Sequence, residues 1–122
     1  MRLHRKLARK VQTCQRYRLM GLPEQAKGVE AEIRSLLTGL GSPEVAVGED
    51  TGGIYMGFSH RLNGATFLMV LQIPPYKVGV RVTNKWTVEL VPLTFRSTFP
   101  DKQLTEICRK KKAQINKFLE DN

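Results

Sequence analysis

The sequence predicts an α+β fold made of an N-terminal antiparallel helical hairpin, a four-stranded antiparallel β-meander and a C-terminal amphipathic helix. Apolar residues recur every three or four positions at both ends of the chain and every second position in the middle, and Gly or Pro separates these segments. A chain of 122 residues, 41% hydrophobic and 25% charged, has the size and composition of one folded domain. We divide that domain into a helical hairpin at 1–41, a linker at 42–53, a sheet at 54–95 and a helix at 99–120.

Two apolar stripes predict the helical hairpin. The first consists of Leu3, Leu7, Val11, Cys14 and Tyr17. The second consists of Ala26, Val29, Ile33, Leu36, Leu37 and Leu40. Their spacing by three and four is that of a helix with one buried face. Between them, "GLP" at 21–23 suits the end of one helix and the first turn of the next. So short a connection folds two helices back as an antiparallel pair.

The period changes to two at Ile54, after a stretch rich in Gly, Glu and Asp that we interpret as the linker. Asn63 and Gly64 form a preferred tight turn before the apolar strand "ATFLMVLQI". "PPYK" then predicts a second turn, because proline cannot donate to a strand ladder. A third strand carries Val78, Val80 and Val82, and after "TNK" a fourth carries Trp86, Val88 and Leu90.

The last helix is expected to begin near Pro100 and Asp101, residues that suit a first helical turn. Its stripe consists of Leu104, Ile107, Cys108, Ile115, Phe118 and Leu119. Two helices, a four-stranded meander and a closing helix are similar in element order to the RWD-type modules of kinetochore and ubiquitin-related proteins. That resemblance implies a protein-binding dimer, and because it covers element order alone it carries no functional residue.

Charge is the unusual property of this sequence: the net charge is +9, and the first twenty residues hold seven Arg or Lys and no acid. On a helical wheel the apolar stripe of the first helix covers an arc of about 80°. An opposing arc of about 100° holds five cations. These are Arg2, Arg5, Lys6, Arg9 and Arg16. Lys10 flanks the stripe and Arg18 falls on it.

An ordinary solvated helix face is the alternative interpretation of this basic arc. Solvated faces normally mix both signs of charge, and cations near a helix N-terminus oppose the helix dipole. The second helix holds three acids and two cations, too few to neutralise the first. We therefore expect an external anionic partner for the arc.

Other cations could extend such a surface. Arg109, Lys110 and Lys112 belong to the run "RKKK", and Arg81 and Lys85 lie in the predicted sheet region. The three cations of the run point in separate directions on the wheel and share the exposed side with acids, which favours a mixed solvated face. As a linear signal the run also resembles a nuclear address.

The second face of the sheet is predicted to show Tyr55, Leu68 and Val70. Only Tyr55 is placed to stack on a base, so the face lacks the aromatic and basic pattern of an RNA-binding sheet. We expect an interface instead, covered either by the helical hairpin or by another protein chain.

The sequence offers little for catalysis, cofactor binding or metal binding. It has no phosphate-binding Gly-rich loop, and two cysteines with two histidines do not form a zinc motif. No apolar run reaches the roughly 20 residues of a membrane span, and no signal peptide is visible. We expect an intracellular protein, in the cytoplasm or nucleus and not secreted, with reduced thiols and no membrane contact.

Our hypothesis from sequence is a small basic, non-enzymatic protein that contacts the nucleic-acid backbone through its first helix, without sequence specificity. The alternative is a protein-interaction module, an oligomeric adaptor or inhibitor that binds an acidic protein. A homodimer or hetero-oligomer is compatible with both. The sequence does not separate DNA, RNA and acidic protein as the partner.

Overall fold

The computed structural model describes residues 2–49, 51–94 and 101–122. Its elements are α1 (Leu3–Leu19), α2 (Pro23–Leu36), a 3₁₀ turn (Thr38–Leu40), β1 (Glu44–Val47), β2 (Ile54–Leu62), β3 (Ala65–Ile73), β4 (Tyr76–Val78), β5 (Arg81–Thr83), β6 (Thr87–Pro92) and α3 (Asp101–Asp121). The predicted α+β class is confirmed, with two N-terminal helices, a four-stranded antiparallel sheet and a C-terminal helix. Residue 50 of the predicted linker, residue 95 of the predicted sheet and residues 99–100 of the predicted last helix lie outside the described residues.

The predicted helical hairpin is present. Gly21 follows α1 with φ +71°, in the left-handed region that glycine adopts without strain, and its N–H donates to the Arg18 carbonyl at 3.1 Å. Pro23 occupies the first turn of α2. The Cys14 thiol lies 3.6 Å from the Ala26 carbonyl oxygen, so the two helices pack closely near their connection.

The sheet has the order β1-β2-β3-β6, and every neighbouring pair is antiparallel. Asn63 and Gly64 join β2 to β3 with φ values of +51° and +78°. Positive φ at both positions is the geometry of the tight turn that the "NG" pair predicts. The turn sets the register that pairs Leu62 with Ala65 and Ile54 with Ile73.

The interpretation of residues 42–53 as a linker was wrong in part, because Glu44–Val47 form the edge strand β1. Val45 and Val47 point into the core and alternate with exposed Glu44 and Ala46. Four residues between Pro43 and Gly48 are too short for the alternation to stand out from the surrounding Gly, Glu and Asp. Pairing with β2 supplies the order that the local sequence does not.

The predicted third strand was also wrong. Val78, Val80 and Val82 do not lie on one strand, because Gly79 adopts φ +63° and starts the turn of a separate hairpin, β4–β5. This two-stranded hairpin stands apart from the main sheet, and the side chain of Val80 at its tip is 98% exposed. The sheet's fourth strand is β1, and β6 pairs directly with β3.

All three helices contribute to one core on one face of the sheet. From the sheet, that core receives alternate side chains such as Met56, Phe67, Met69 and Leu71. From the helices it receives Leu3, Leu7, Val11, Cys14, Val29, Ile33 and Ile115. The helical hairpin therefore lies on the same face as α3. It does not cover Tyr55, Leu68 and Val70, which occupy the alternate positions and remain partly exposed.

The Glu30 carboxylate connects α2 to both α1 and β1. Its Oε2 accepts the backbone N–H of Val47 at 2.8 Å and lies 3.4 Å from the Arg18 guanidinium. The Glu30 side chain is only 17% exposed. A second ion pair joins the same two helices, Lys10 to Glu32 at 3.1 Å, but there the Glu32 side chain is 58% exposed. The two pairs thus differ chiefly in burial.

We expect Glu30→Ala to lower the free energy of unfolding by about 2 kcal/mol, because the partly buried Arg18 guanidinium and the Val47 N–H would both lose their partner. Glu32→Ala removes an exposed ion pair and should cost less than about 1 kcal/mol. Urea unfolding of both variants beside the parent protein measures the difference. Equal losses would show that the Glu30 contacts do not hold β1 in place.

Both cysteines are free and contact the core. Cys14 is fully buried, and the Cys108 sulfur lies 3.5 Å from the Met69 sulfur. Burial raises the pKa of both thiols, and the nearby Arg18 charge offsets only part of that rise in the pKa of Cys14. The reactive thiolate is therefore scarce at neutral pH at both positions.

Thiol labelling with a disulfide reagent should modify Cys108 first, and Cys14 only as the protein unfolds. Folding favours the protonated thiols, so their contribution to stability is complete below the ordinary thiol pKa, about 8.5, and is lost as the pH rises through the folded pKa. We therefore expect alkaline pH to destabilise the parent more than a Cys14→Ala variant. Labelling of Cys14 in the native protein at the rate of a small-molecule thiol would contradict this.

Candidate nucleic-acid interface

The five cations of the predicted basic arc are all exposed, four of them on α1 and Arg2 at its N-cap. We call this surface, Arg2, Arg5, Lys6, Arg9 and Arg16, the α1 basic face. It is exposed because the opposite stripe of α1 is buried in the core. None of the five forms an ion pair within residues 2–49, 51–94 and 101–122.

The second helix neutralises only the two cations that lie outside the α1 basic face. Lys10 pairs with Glu32, and Arg18 pairs with Glu30. The wheel places Lys10 beside the apolar stripe and Arg18 on it, and both side chains are partly buried. Glu30 and Glu32 are thus directed toward the helix interface, and Glu24 pairs with Lys27 of its own helix, which leaves the α1 basic face without a counter-charge from α2.

The start of α1 gives these cations no local support. The first turn contains no acidic residue, and the N-cap residue Arg2 makes no side-chain capping bond. The carbonyl of Asn122, after α3, accepts the N–H of Leu3 at 3.0 Å and partly satisfies the helix start. Arg2, Arg5 and Lys6 at this end oppose the helix dipole, so helix stability does not account for their presence. Arg16, in the last turn, is instead favoured by the dipole.

A groove of about 550 Å³ separates α1 from the β4–β5 hairpin. His4, Ala8, Gln12 and Gln15 line it from α1, and Lys77 and Val82 line it from the hairpin. Its floor includes Leu7, Val11, Ile54 and Ile73. The structure therefore brings Lys77 to the groove beside α1, although more than fifty residues separate them in the sequence.

Of the predicted extensions, Arg81 lies on β5 next to Val82, and Lys85 lies just beyond the hairpin; both side chains are exposed. Sequence reasoning missed Lys77 and Val82 as groove residues. It treated "PPYK" only as a turn and assigned Val82 to a sheet strand. The available signal for a hairpin was the pair Gly79–Val80, which can form a two-residue loop between short strands.

The cations of α3 are not gathered into one surface. The Arg109 guanidinium bonds to the Glu106 carboxylate, which lowers the pKa of Glu106 and raises that of Arg109. The Lys111 ammonium lies 4.3 Å from the centre of the Phe58 ring, and burial lowers its pKa. Lys110 is exposed, whereas Lys112 is partly buried and lines a separate groove between α3 and β6. This arrangement matches the mixed face that the wheel favours.

The sheet face turned away from the helices carries Tyr55, Leu68 and Val70, each partly buried by its neighbours. The Leu68 side chain leans over Gly57, where an added Cβ would lie 3.3 Å from it. Glu44 and Glu89 are in the same cross-strand row as Val70. This surface, the open sheet face, is thus apolar at its centre and acidic at both sides.

Among the residues that the structure describes, no group of three or more His, Cys, Asp or Glu side chains could hold a metal ion. None of the described helices combines the length and apolar character needed to cross a membrane.

Comparison of the chain with protein-family models, with curated proteins and with solved structures found no significant match. No family is shown by these comparisons, so the functional proposal rests on the chain's own surfaces.

Proposed function

We propose that this chain is a small non-enzymatic protein that binds the phosphate backbone of nucleic acid through the α1 basic face. The observation that carries the proposal is the unpaired charge of that face. Five exposed cations share one side of one helix and have no acidic partner within the described ranges. A phosphate backbone supplies negative charges at regular short spacing, which matches cations repeated along a helix.

The pattern of charge along α1 favours this function over simple solvation. Like charges three and four residues apart repel one another, and cations at a helix start are unfavourable. Both costs disappear when phosphates bind the face. Lys77 adds a cation on the opposite wall of the groove. Arg81, Lys85 and Lys110 are further exposed candidates outside the groove lining.

The binding that follows is sequence-nonspecific, because Arg and Lys on an exposed helix face suit phosphates without requiring base contacts. About six phosphate contacts give a log–log salt slope near −5, or roughly a thousandfold loss of affinity between 50 and 200 mM salt. The proposal requires no cofactor or metal. It places the protein in the cytoplasm or nucleus, where nucleic acid is available.

We expect Arg5→Ala combined with Arg9→Ala to reduce the salt slope for a short DNA or RNA duplex by about 2, because two phosphate contacts are removed. Both positions are exposed on a helix, where alanine is well tolerated. Fluorescence anisotropy at several salt concentrations measures the slope.

The matched control is Arg34→Ala combined with Lys102→Ala, which removes the same charge from exposed positions on α2 and α3. This control should keep the parent's salt slope within experimental error. If the two double variants lose slope equally, binding depends on net charge and not on the α1 basic face.

The open sheet face supports a second candidate function, a protein-interaction module. Three partly exposed apolar side chains at its centre, Tyr55, Leu68 and Val70, form a surface that the helices leave uncovered. A second copy or another protein would bury them, giving a homodimer or hetero-oligomer. In this second candidate function, the partner of the α1 basic face would be an acidic protein surface and not nucleic acid.

Light scattering tests this second candidate. It requires a mass above the 13.9 kDa of one chain and a return to one chain mass in Val70→Lys, because a charge at the centre of an apolar interface disfavours association. Thr66→Lys, on the same strand and face but near its end, is the matched control and should keep the parent's mass. A strict monomer that captures no protein partner contradicts the interaction module.

A further inference from the structure

The groove between α1 and the β4–β5 hairpin differs in chemistry from the α1 basic face beside it. Its floor is apolar, and the α1 residues above that floor include no Lys, Arg, Asp or Glu. Its volume of about 550 Å³ lies in the range of sites that hold small organic groups. Among the described residues that line it there is no Asp or Glu, and Lys77 is its one lining Lys or Arg.

The α1 basic face forms one rim of this groove. At about 100° per residue, Ala8, Gln12 and Gln15 lie between the buried stripe and the arc that holds Arg5, Arg9 and Arg16. A nucleic-acid strand whose phosphates lie along the rim would therefore direct its sugars and bases into the groove. Lys77 stands on the opposite wall.

Two side-chain amides on the α1 wall are available to a ligand. Gln12 and Gln15 make no hydrogen bond through their side chains within the described part of the chain. Gly52 leaves room for the Gln15 amide, because a Cβ at Gly52 would come within 2.7 Å of the Gln15 Nε2. A side-chain amide can donate and accept at once, as the edge of an unpaired base requires.

Val82 contributes an apolar wall that has no evident role in folding. It lines the groove and is 62% exposed. An apolar floor and an exposed valine are of no use to a phosphate, which requires positive charge or hydrogen-bond donors. They suit the flat apolar face of a nucleobase.

We propose that this groove binds unpaired bases of single-stranded nucleic acid while the phosphates lie along the α1 basic face. The inference rests on the proposed function and makes it more specific. A duplex keeps its bases stacked and paired, so it presents phosphates to the rim and leaves the groove empty. A single strand can turn its bases into the groove and gain contacts that a duplex cannot make.

Three fluorescent probes test the proposal: oligothymidylate of about 12 nucleotides, an abasic strand of the same length and a duplex of the same length. The abasic strand keeps the phosphates and lacks the bases. We expect the parent protein to bind oligothymidylate about tenfold more tightly than the abasic strand, since burial of roughly 55 Å² of apolar surface in the groove is worth about that factor.

Ala8→Leu narrows the groove from an exposed helix position without changing charge and without adding a ring that could stack on a base, so it should weaken the preference for oligothymidylate over the abasic strand. Ala31→Leu makes the same change at an exposed position of α2 outside the groove and should keep the preference. Circular dichroism confirms that both variants are folded. A second pair, Val82→Ser in the groove and Val80→Ser at the hairpin tip, repeats the comparison with smaller changes.

Equal affinity of the parent for oligothymidylate and the abasic strand would overturn the groove proposal and leave backbone binding intact. Failure to bind any of the three probes would overturn the proposed function itself. Competition by poly-glutamate that is lost in Ala8→Leu would assign the groove to an acidic peptide and also overturn the proposal. A preference that is unchanged in Ala8→Leu and in Val82→Ser would place base contacts elsewhere and overturn it too.

Discussion

Burial of the apolar stripe of α1 is the constraint on which the rest of this structure depends. The stripe packs into the core between α1 and the sheet, and this fixes the rotation of α1 about its axis. Its buried residues are Leu3, Leu7, Val11 and Cys14. Since a helix carries its side chains in all directions, fixing one side fixes the opposite side as well. The α1 basic face is exposed for that reason.

The ion pairs inside the helical hairpin separate the charges of α1 into two groups. Glu30 and Glu32 hold Arg18 and Lys10 at the interface with α2, where the pairs contribute to packing. The remaining cations have no such structural partner among the described residues. The ion pairs therefore distinguish cations that support the fold from cations that are free to bind a partner. The net charge of the chain does not show this difference.

Elements that carry their own local signal could be predicted from sequence: the stripes of the three helices, the Asn63–Gly64 turn and the apolar strand β3. The edge strand β1 could not, because four residues gain their order from β2 and from Glu30. The valines at 78, 80 and 82 led to the wrong prediction of one strand, because apolar residues alternate in the same way along a strand and across a hairpin with a tight turn. The groove was not predictable, since it exists only where α1 and the β4–β5 hairpin meet.

The bond between Glu30 and the Val47 N–H also bears on how the sheet could associate with other strands. An edge strand with unpaired N–H groups is a template for intermolecular pairing. At β1 one of those donors is already occupied by a carboxylate that is itself held by Arg18. Strand addition at this edge would have to break that arrangement first. The same side chain that anchors β1 thus also protects it against edge-to-edge aggregation.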